Sequence, residues 1–446
     1  MIFDTGLDDI EMTAIALARE FAETAGEYDR TAAFPFINIE RLRETRLAAL
    51  VVPREYGGRG AGLVRANRVV NAIAQGEAST GLVLAQQYLF HAALRANPGF
   101  SSALKDRIFR SAAEDGAFVN SLRVEPELGT PIRGGLPATI ARRTSTGWAL
   151  SGRKIYATGS PVLAWNAIWA RTDEAEPRVG PFIVPAGAPG FTIEETWRQL
   201  GMRASGSHDV MLDNVEIPFD HAADLKTLDE LTGPDATQMA WVAVLFSAIY
   251  DGAARAARDW FVKFLRERAP TNLGAPLATL PRMQQAVGEI DSALCASRIL
   301  LASIAERVDR GETPHLQESL YVKHNVTKNA LDAVSKAMEF SGIAGAAKKS
   351  LASTGASTHD CTRSSPAPPR NLLHRRGHPH MTLILRHLPA LGPAVAFACF
   401  NDAQRAAVAD ADAAIDALPQ PDPKRPDVDL AGAVGDKQEG GAQLGV

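Results

Sequence analysis

Apolar residues recur with two different periods along this chain, and the switches between them divide it. Near the start the period is helical, because Ile10, Ala14, Leu17 and Phe21 fall on one face of a helix. Pro53 and the paired Gly57-Gly58 interrupt that pattern, and residues 69–96 resume it. From Phe118 to about Ala222 the pattern is that of strands. Residues 138–141 and 148–151 flank Thr146-Gly147 as the arms of a hairpin, and residues 164–172 and 181–185 read as further strands. Residues 209–217 predict another strand, with Val210 and Leu212 on one face, a turn offered by Asp213-Asn214, and Pro218 ending the pairing. From Thr237 helical stripes return: Val242, Phe246, Ile249, Ala253, Trp260 and Phe264, then Val287, Ile290, Leu294, Leu301, Ile304 and Val308. Long amphipathic helices of this kind need partners, which predicts a bundle.

The expected class is therefore α+β and multidomain. An N-terminal helical domain (1–117) precedes a middle antiparallel β-barrel or sandwich (118–222), a C-terminal helical bundle (223–400, anomalous after 347) and a tail (401–446). The tail is rich in alanine, then in proline, aspartate and glycine, a composition that predicts disorder.

Composition narrows the function classes. The 446 residues, 46% hydrophobic and 22% charged, are ordinary for a globular protein with a large core. A net charge of -4 does not point to nucleic acid or an anionic membrane surface as partner. Cys295, Cys361 and Cys399 are widely spaced and form no CxxC, so neither a disulfide framework nor a zinc site is expected. Acidic residues at 4, 8, 9 and 11 do not resemble a secretory signal, and residues 389–400 are too short for a membrane span. A cytoplasmic location is expected.

Three ordered segments carry the candidate chemistry. The first is Asn120-Ser121-Leu122-Arg123-Val124-Glu125-Pro126-Glu127-Leu128-Gly129-Thr130, where a glycine beside a hydroxyl allows close backbone approach to a ligand. The second is Lys154-Ile155-Tyr156-Ala157-Thr158-Gly159, which pairs an aromatic with a hydroxyl. The third is the small-residue loop Gly201-Met202-Arg203-Ala204-Ser205-Gly206-Ser207 leading into the strand at 209–217. Together they resemble the middle-domain signatures of the acyl-CoA dehydrogenase superfamily of flavoproteins. The resemblance covers about residues 40 to 345 and includes the order of helices, β domain and bundle.

The resemblance implies FAD, with FMN as the alternative, bound by the β domain. The backbone of Leu122 and Val124 would meet the flavin ring, and Gly129 and Thr130 the ribityl chain or pyrophosphate. Tyr156, Ala157 and Thr158 would line the ring, with the Thr158 hydroxyl near its reactive nitrogen N5. Val124 and Thr130 stand where relatives commonly have threonine and serine, and Tyr156 where they often have tryptophan. The implied activity is oxidation of an acyl thioester between its α and β carbons, with acyl-CoA or another small hydrophobic substrate. The implied partners are an electron-transfer flavoprotein or a flavin reductase, and the implied assembly is a homotetramer.

That reaction needs a carboxylate base. One family position for it falls near Met239-Ala240-Trp241, which has none, and the other falls after Gly345, where no matching glutamate is found. The family's pyrophosphate motif is replaced by Arg268-Ala269-Pro270-Thr271-Asn272-Leu273-Gly274. These departures resemble the branch of dibenzothiophene monooxygenase and related two-component flavin hydroxylases, which use an asparagine, a histidine and a hydroxyl. Asn120 and His91 are the candidate catalytic residues on that resemblance, with Thr158 as the hydroxyl. A non-catalytic flavin-binding relative is the third reading. The alternative for His91 is a packed helix histidine, and His208 reads as a structural hydrogen-bonding residue.

The segment after Gly345 breaks the family pattern. Between Gly342 and Asn401, Asp360 is the only acidic residue, against seven basic ones, and five of the ten histidines fall within residues 359–387. His374, His378 and His380 have no scaffold that would make them a metal site, and no metal is expected. Drift normally preserves the apolar pattern of a bundle helix, because its inner face must still be buried. Simultaneous loss of pattern, charge balance and motif reads as a reading-frame change from about residue 348 onward. Translation of the gene in its other two frames should then yield a family-like carboxy terminus in one of them; two unrelated products would make the segment a genuine variant.

Overall fold

The computed structural model describes residues 8–128, 135–231 and 235–342. The first helices are α1 (Asp9–Thr31), α2 (Phe36–Glu44), α3 (Leu63–Gly76), α4 (Ala78–Ala96) and α5 (Ser102–Glu114). Asp8 caps α1 by accepting from the Ile10 and Glu11 amides, and Ala14, Leu17 and Phe21 of the predicted stripe are buried. Glu77 caps α4, its carboxylate accepting from the amides of Ser79 and Thr80 and from the Thr80 hydroxyl.

The β strands are β1 (Phe118–Leu122), β2 (Ile140–Arg143), β3 (Gly147–Ala157), β4 (Leu163–Thr172), β5 (Arg178–Pro185), β6 (Phe191–Glu194), β7 (His208–Pro218) and β8 (Lys226–Thr227). They form one sheet in the order β6-β7-β3-β2-β4-β5-β8, with β1 beside β4. The predicted hairpin is present, pairing Ile140 with Ser151 and Arg143 with Trp148. Most pairings are antiparallel, but β1 and β2 both run parallel to β4, so the sheet is mixed. The predicted turn at Asp213-Asn214 is instead a bulge inside β7. Asn214 adopts φ +49° there, and the register with β3 slips between Leu150 and Gly152.

The remaining helices are α6 (Ala236–Glu267), α7 (Pro281–Asp309) and α8 (Leu316–Ser341). Ile290, Leu294, Leu301 and Ile304 of the predicted α7 stripe are buried. In the second half of α6 the buried line is Ala254, Ala257, Phe261 and Leu265, one position on from the predicted one; Trp260 and Phe264 stack on each other, half-buried, at 5.6 Å. Small alanines at the inner positions let neighbouring backbones approach, and the large rings are left to cover the edge.

One large core joins the helices to one face of the sheet, with Leu84 and Tyr88 from α4, Leu150 from β3, Phe182 from β5 and Val244 from α6. A second core lies between α5 and the other face, with Phe109, Val119, Ala167 and Ile183. Gln87 fixes α4 against the start of β1: its amide donates to the carbonyls of Ala48 and Ala117 and accepts from the Val119 amide at 2.7 Å. The last residue of α7 fixes the bundle to α3, because the Asp309 carboxylate accepts from the Leu63 and Val64 amides at 2.6 and 3.0 Å. A Cβ on Gly62 would stand 2.3 Å from Asp309 Oδ1, so the carboxylate would have to move off the seam to admit it.

Asp309 thus acts as an N-cap supplied from another part of the chain. Asp309→Ala should lower unfolding free energy by about 1 kcal/mol, and Gly62→Ala by more, both measurable by urea denaturation. An unchanged midpoint in Gly62→Ala would show that the seam opens freely.

Candidate functional site

Two of the three signature segments meet at the end of β3. Lys154 pairs with Val210 and Ala157 with His208, so Ile155 and Tyr156 together face the single residue Asp209. Tyr156 takes up this bulge with φ +59°, a left-handed conformation that costs a non-glycine residue about 1 kcal/mol. The bulge turns its ring outward, 36% exposed, with an edge-to-face neighbour in Trp197 at 6.0 Å. Trp197 is itself held, its indole N–H donating to the Met202 carbonyl and its amide donating to Nδ1 of His208. The structural reading of His208 is borne out by that bond.

Behind the bulge lies a chain of buried hydroxyls. Ser205 Oγ is 2.7 Å from Ser207 Oγ, which is 2.9 Å from Thr158 Oγ1. Three hydroxyls carry three protons, and the two contacts within the chain use two of them. One proton is left for an acceptor outside the chain. The Asn120 amide donates to the Thr158 carbonyl at 3.0 Å, and its oxygen accepts from the Ser121 amide. Asn120, Thr158, Ser205 and Ser207 are all buried, and among the described residues none of their hydrogen bonds goes to a carboxylate.

The first segment joins the same place. The Ile155 amide donates to the Val124 carbonyl at 3.0 Å, and Leu122 is buried at the end of β1. Beside this bond Lys154 Nζ and Glu125 Oε1 form an ion pair of 2.6 Å with both side chains out of contact with solvent. Burial pushes the Lys154 ammonium down to about 8 against the pull of Glu125. Burial also pushes the Glu125 carboxyl up, but the bonds from Lys154 and Thr139 outweigh it and hold it below its usual range. Gly129 and Thr130 lie outside the described residues, as do His374, His378, His380 and the whole proposed frame change.

The structure brings Asn120, Val124, Tyr156, Ala157 and Thr158 together; His91 it places differently. His91 is buried in α4 with its ring 5.7 Å from that of Phe109, on the side of the second core, and neither ring nitrogen has a hydrogen-bond partner among the described residues. The histidine is held neutral, burial pushing it down to about 3. Ser205 and Ser207 were legible only as small loop residues. Lys154 had a clearer signal, since it shares the inward face of β3 with Trp148 and Leu150, a charge where alternation asks for an apolar residue.

An outward aromatic, a hydroxyl with an uncommitted proton and a strand end held open by a bulge fit a flavin, which needs a stacking face and polar contacts along one edge. Comparison with known proteins agrees. Residues 10–99, 124–215 and 244–351 match the N-terminal, middle and C-terminal domain families of acyl-CoA dehydrogenase. The chain is 34% identical over 331 residues to the putative acyl-CoA dehydrogenase YdbM of Bacillus subtilis, a match covering 73% of this chain and 84% of that protein. It is 27% identical to the mitochondrial short-chain specific acyl-CoA dehydrogenase of Rattus norvegicus, over 68% of this chain and 74% of the relative. Among solved structures, butyryl-CoA dehydrogenase from Megasphaera elsdenii superposes with a TM-score of 0.69 at 20% identity, covering 79% of this chain and 94% of that one. FMN-bound TdsC from Paenibacillus sp. A11-2 superposes with a TM-score of 0.67 at 19% identity, covering 78% and 91%.

The chain therefore belongs to the acyl-CoA dehydrogenase family. It is a flavin-dependent oxidoreductase whose cofactor is FAD, with FMN as the alternative. No described helix is long and apolar enough to cross a membrane.

The placement of His91 has a pH consequence. An unfolded histidine takes up a proton near pH 6.5, whereas the folded one resists until about 3. Its contribution to stability is complete above pH 6.5 and is lost as pH falls toward 3, at up to roughly 1.4 kcal/mol per pH unit. His91→Leu should flatten this acid slope and leave stability at pH 7 equal or higher, as read from urea midpoints at pH 7 and 5. Equal slopes in both proteins would mean that His91 is not buried neutral.

Proposed function

We propose that this flavoenzyme oxidises an acyl thioester between its α and β carbons, and that the bulge and hydroxyl chain at the end of β3 form its flavin site. The supporting observation is the Asn120–Thr158–Ser207–Ser205 cluster beside Tyr156, in a chain similar to proteins named as acyl-CoA dehydrogenases from Bacillus subtilis and Rattus norvegicus. When bound, the flavin supplies the acceptor for a hydride. Tyr156 would cover the ring, Thr158 would offer its hydroxyl to the ring edge, and the backbone at Leu122 and Val124 would line the remaining side. Asn120 holds the Thr158 carbonyl and so fixes the strand end that presents the hydroxyl. The buried cluster keeps water from the polar edge. Assembly as a homotetramer and electron delivery to an electron-transfer flavoprotein belong to the same proposal.

A second reading has its own support. Among the described residues no carboxylate is hydrogen-bonded to the cluster, and the fold also matches TdsC, so a monooxygenase using reduced flavin from a separate reductase is the alternative.

Purified protein separates the two. Under anaerobic conditions acyl-CoA should bleach the visible flavin absorbance of the dehydrogenase, and Thr158→Val should slow that bleaching by about 10-fold or more. Absence of bleaching with any thioester, together with oxygen-dependent hydroxylation when reduced flavin is supplied, would establish the monooxygenase instead.

A further inference from the structure

The Glu125 carboxylate accepts four hydrogen bonds from two separate chain segments. Oε1 accepts from Lys154 Nζ at 2.6 Å, from the Thr139 amide at 3.0 Å and from the Thr139 hydroxyl at 2.6 Å; Oε2 accepts from the Ala138 amide at 2.6 Å. Lys154 also donates to the Trp169 carbonyl on β4. One ion pair thus ties together the segment after β1, the approach to β2, and strands β3 and β4. Backbone packing is close at the same point, since a Cβ on Gly152 would stand 2.6 Å from Thr139 Oγ1.

A buried ion pair is a poor source of stability. Desolvating both charges costs as much as their attraction returns, and apolar replacements of similar volume are often neutral or better. What such a pair does supply is geometry, because charged hydrogen bonds tolerate little displacement. The geometry here is specific. Val124 precedes Glu125, Tyr156 follows Lys154 by two residues on β3, and Thr158 lies directly after the strand's last residue. The two segments read as flavin contacts are therefore held in register by this pair and by the adjacent Ile155–Val124 bond.

We propose that Glu125 and Lys154 are positioning residues for the flavin, setting the distance between the segment at 122–124 and the bulge at 156–158. The inference rests on the reading of those two segments as the flavin site. Neither side chain touches the cofactor in this role, and their effect is transmitted through the backbone on either side.

The test is the volume-matched double substitution Glu125→Leu/Lys154→Met, compared with the wild type and with Tyr156→Ala. The apo proteins are melted to compare stability, and FAD is titrated by quenching of its fluorescence. The double variant should melt at or above the wild-type temperature yet bind FAD about 10-fold or more weakly, with a changed visible band shape for the bound flavin. A well-folded double variant with wild-type FAD affinity and spectrum overturns the proposal. If Tyr156→Ala weakens binding while the double variant does not, the pair alone loses its role. If Tyr156→Ala is also without effect, the reading of the site itself fails. Should the double variant not fold, Glu125→Asp keeps the charge and shortens its reach by one methylene. A rise of about threefold or more in its FAD dissociation constant supports the proposal, and an unchanged constant overturns it.

Discussion

Strand β3 has to satisfy two demands that conflict. For most of its length it pairs with β7 and buries Trp148, Leu150 and Lys154. At its end it has to release Tyr156 and present Thr158 toward the loop carrying Ser205 and Ser207. A regular strand cannot do both, because its side chains alternate strictly between faces. The extra residue at 155–156 resolves the conflict, and the left-handed Tyr156 holds the local strain. That strain persists because the strand is fixed on both sides of it. Lys154 is anchored below by Glu125, and the Gly159 and Ser160 amides above donate to the Ser205 and Gly206 carbonyls.

The helices keep this strand end from drifting. Gln87 ties α4 to the start of β1 through two backbone groups, those of Ala117 and Val119, so Asn120 has a defined height relative to α4. Arg203 reaches from the small-residue loop to the Asp29 carbonyl at the end of α1. The loop that offers Ser205 and Ser207 is therefore braced by a helix distant in sequence. These are polar bonds made at buried or half-buried edges, where an unmade bond is expensive. They set positions more than they add net stability.

The outline of the fold was readable because its signals are periodic. The stripes on α1 and α7 and the hairpin around Thr146-Gly147 are repeated patterns that packing then respects. What could not be read were features set by contacts distant in sequence. The shift of the buried line on α6 depends on which neighbour approaches. Asp213-Asn214 has the composition of a turn, and only pairing with β3 makes it a bulge. At the site, the resemblance named segments that meet in the structure, but not their internal bonds. Ser207 matters because of where Thr158 lies, 49 residues earlier in the chain. His91 shows the reverse case: a histidine type suited to chemistry, on a helix face that packs it against Phe109.

The polar groups brought together at this site are hydroxyls, an amide and backbone. Such groups can orient a ligand and donate or accept a hydrogen bond, but they cannot hold an abstracted proton near neutral pH. The nearby charged groups are committed. Glu125 is bound by Lys154, Thr139 and Ala138, and Asp209 by Arg153 and Thr196. Taking Glu125 from Lys154 to serve as a base would leave a buried cation unpaired, which is strongly destabilising. For thioester oxidation, then, the base has to come from a group not yet bonded to this cluster. For oxygen chemistry no such base is needed at the α carbon, and the hydroxyl chain has one proton not used within it. The polarity of the cluster thus bears on the reaction more directly than the fold, which both chemistries share.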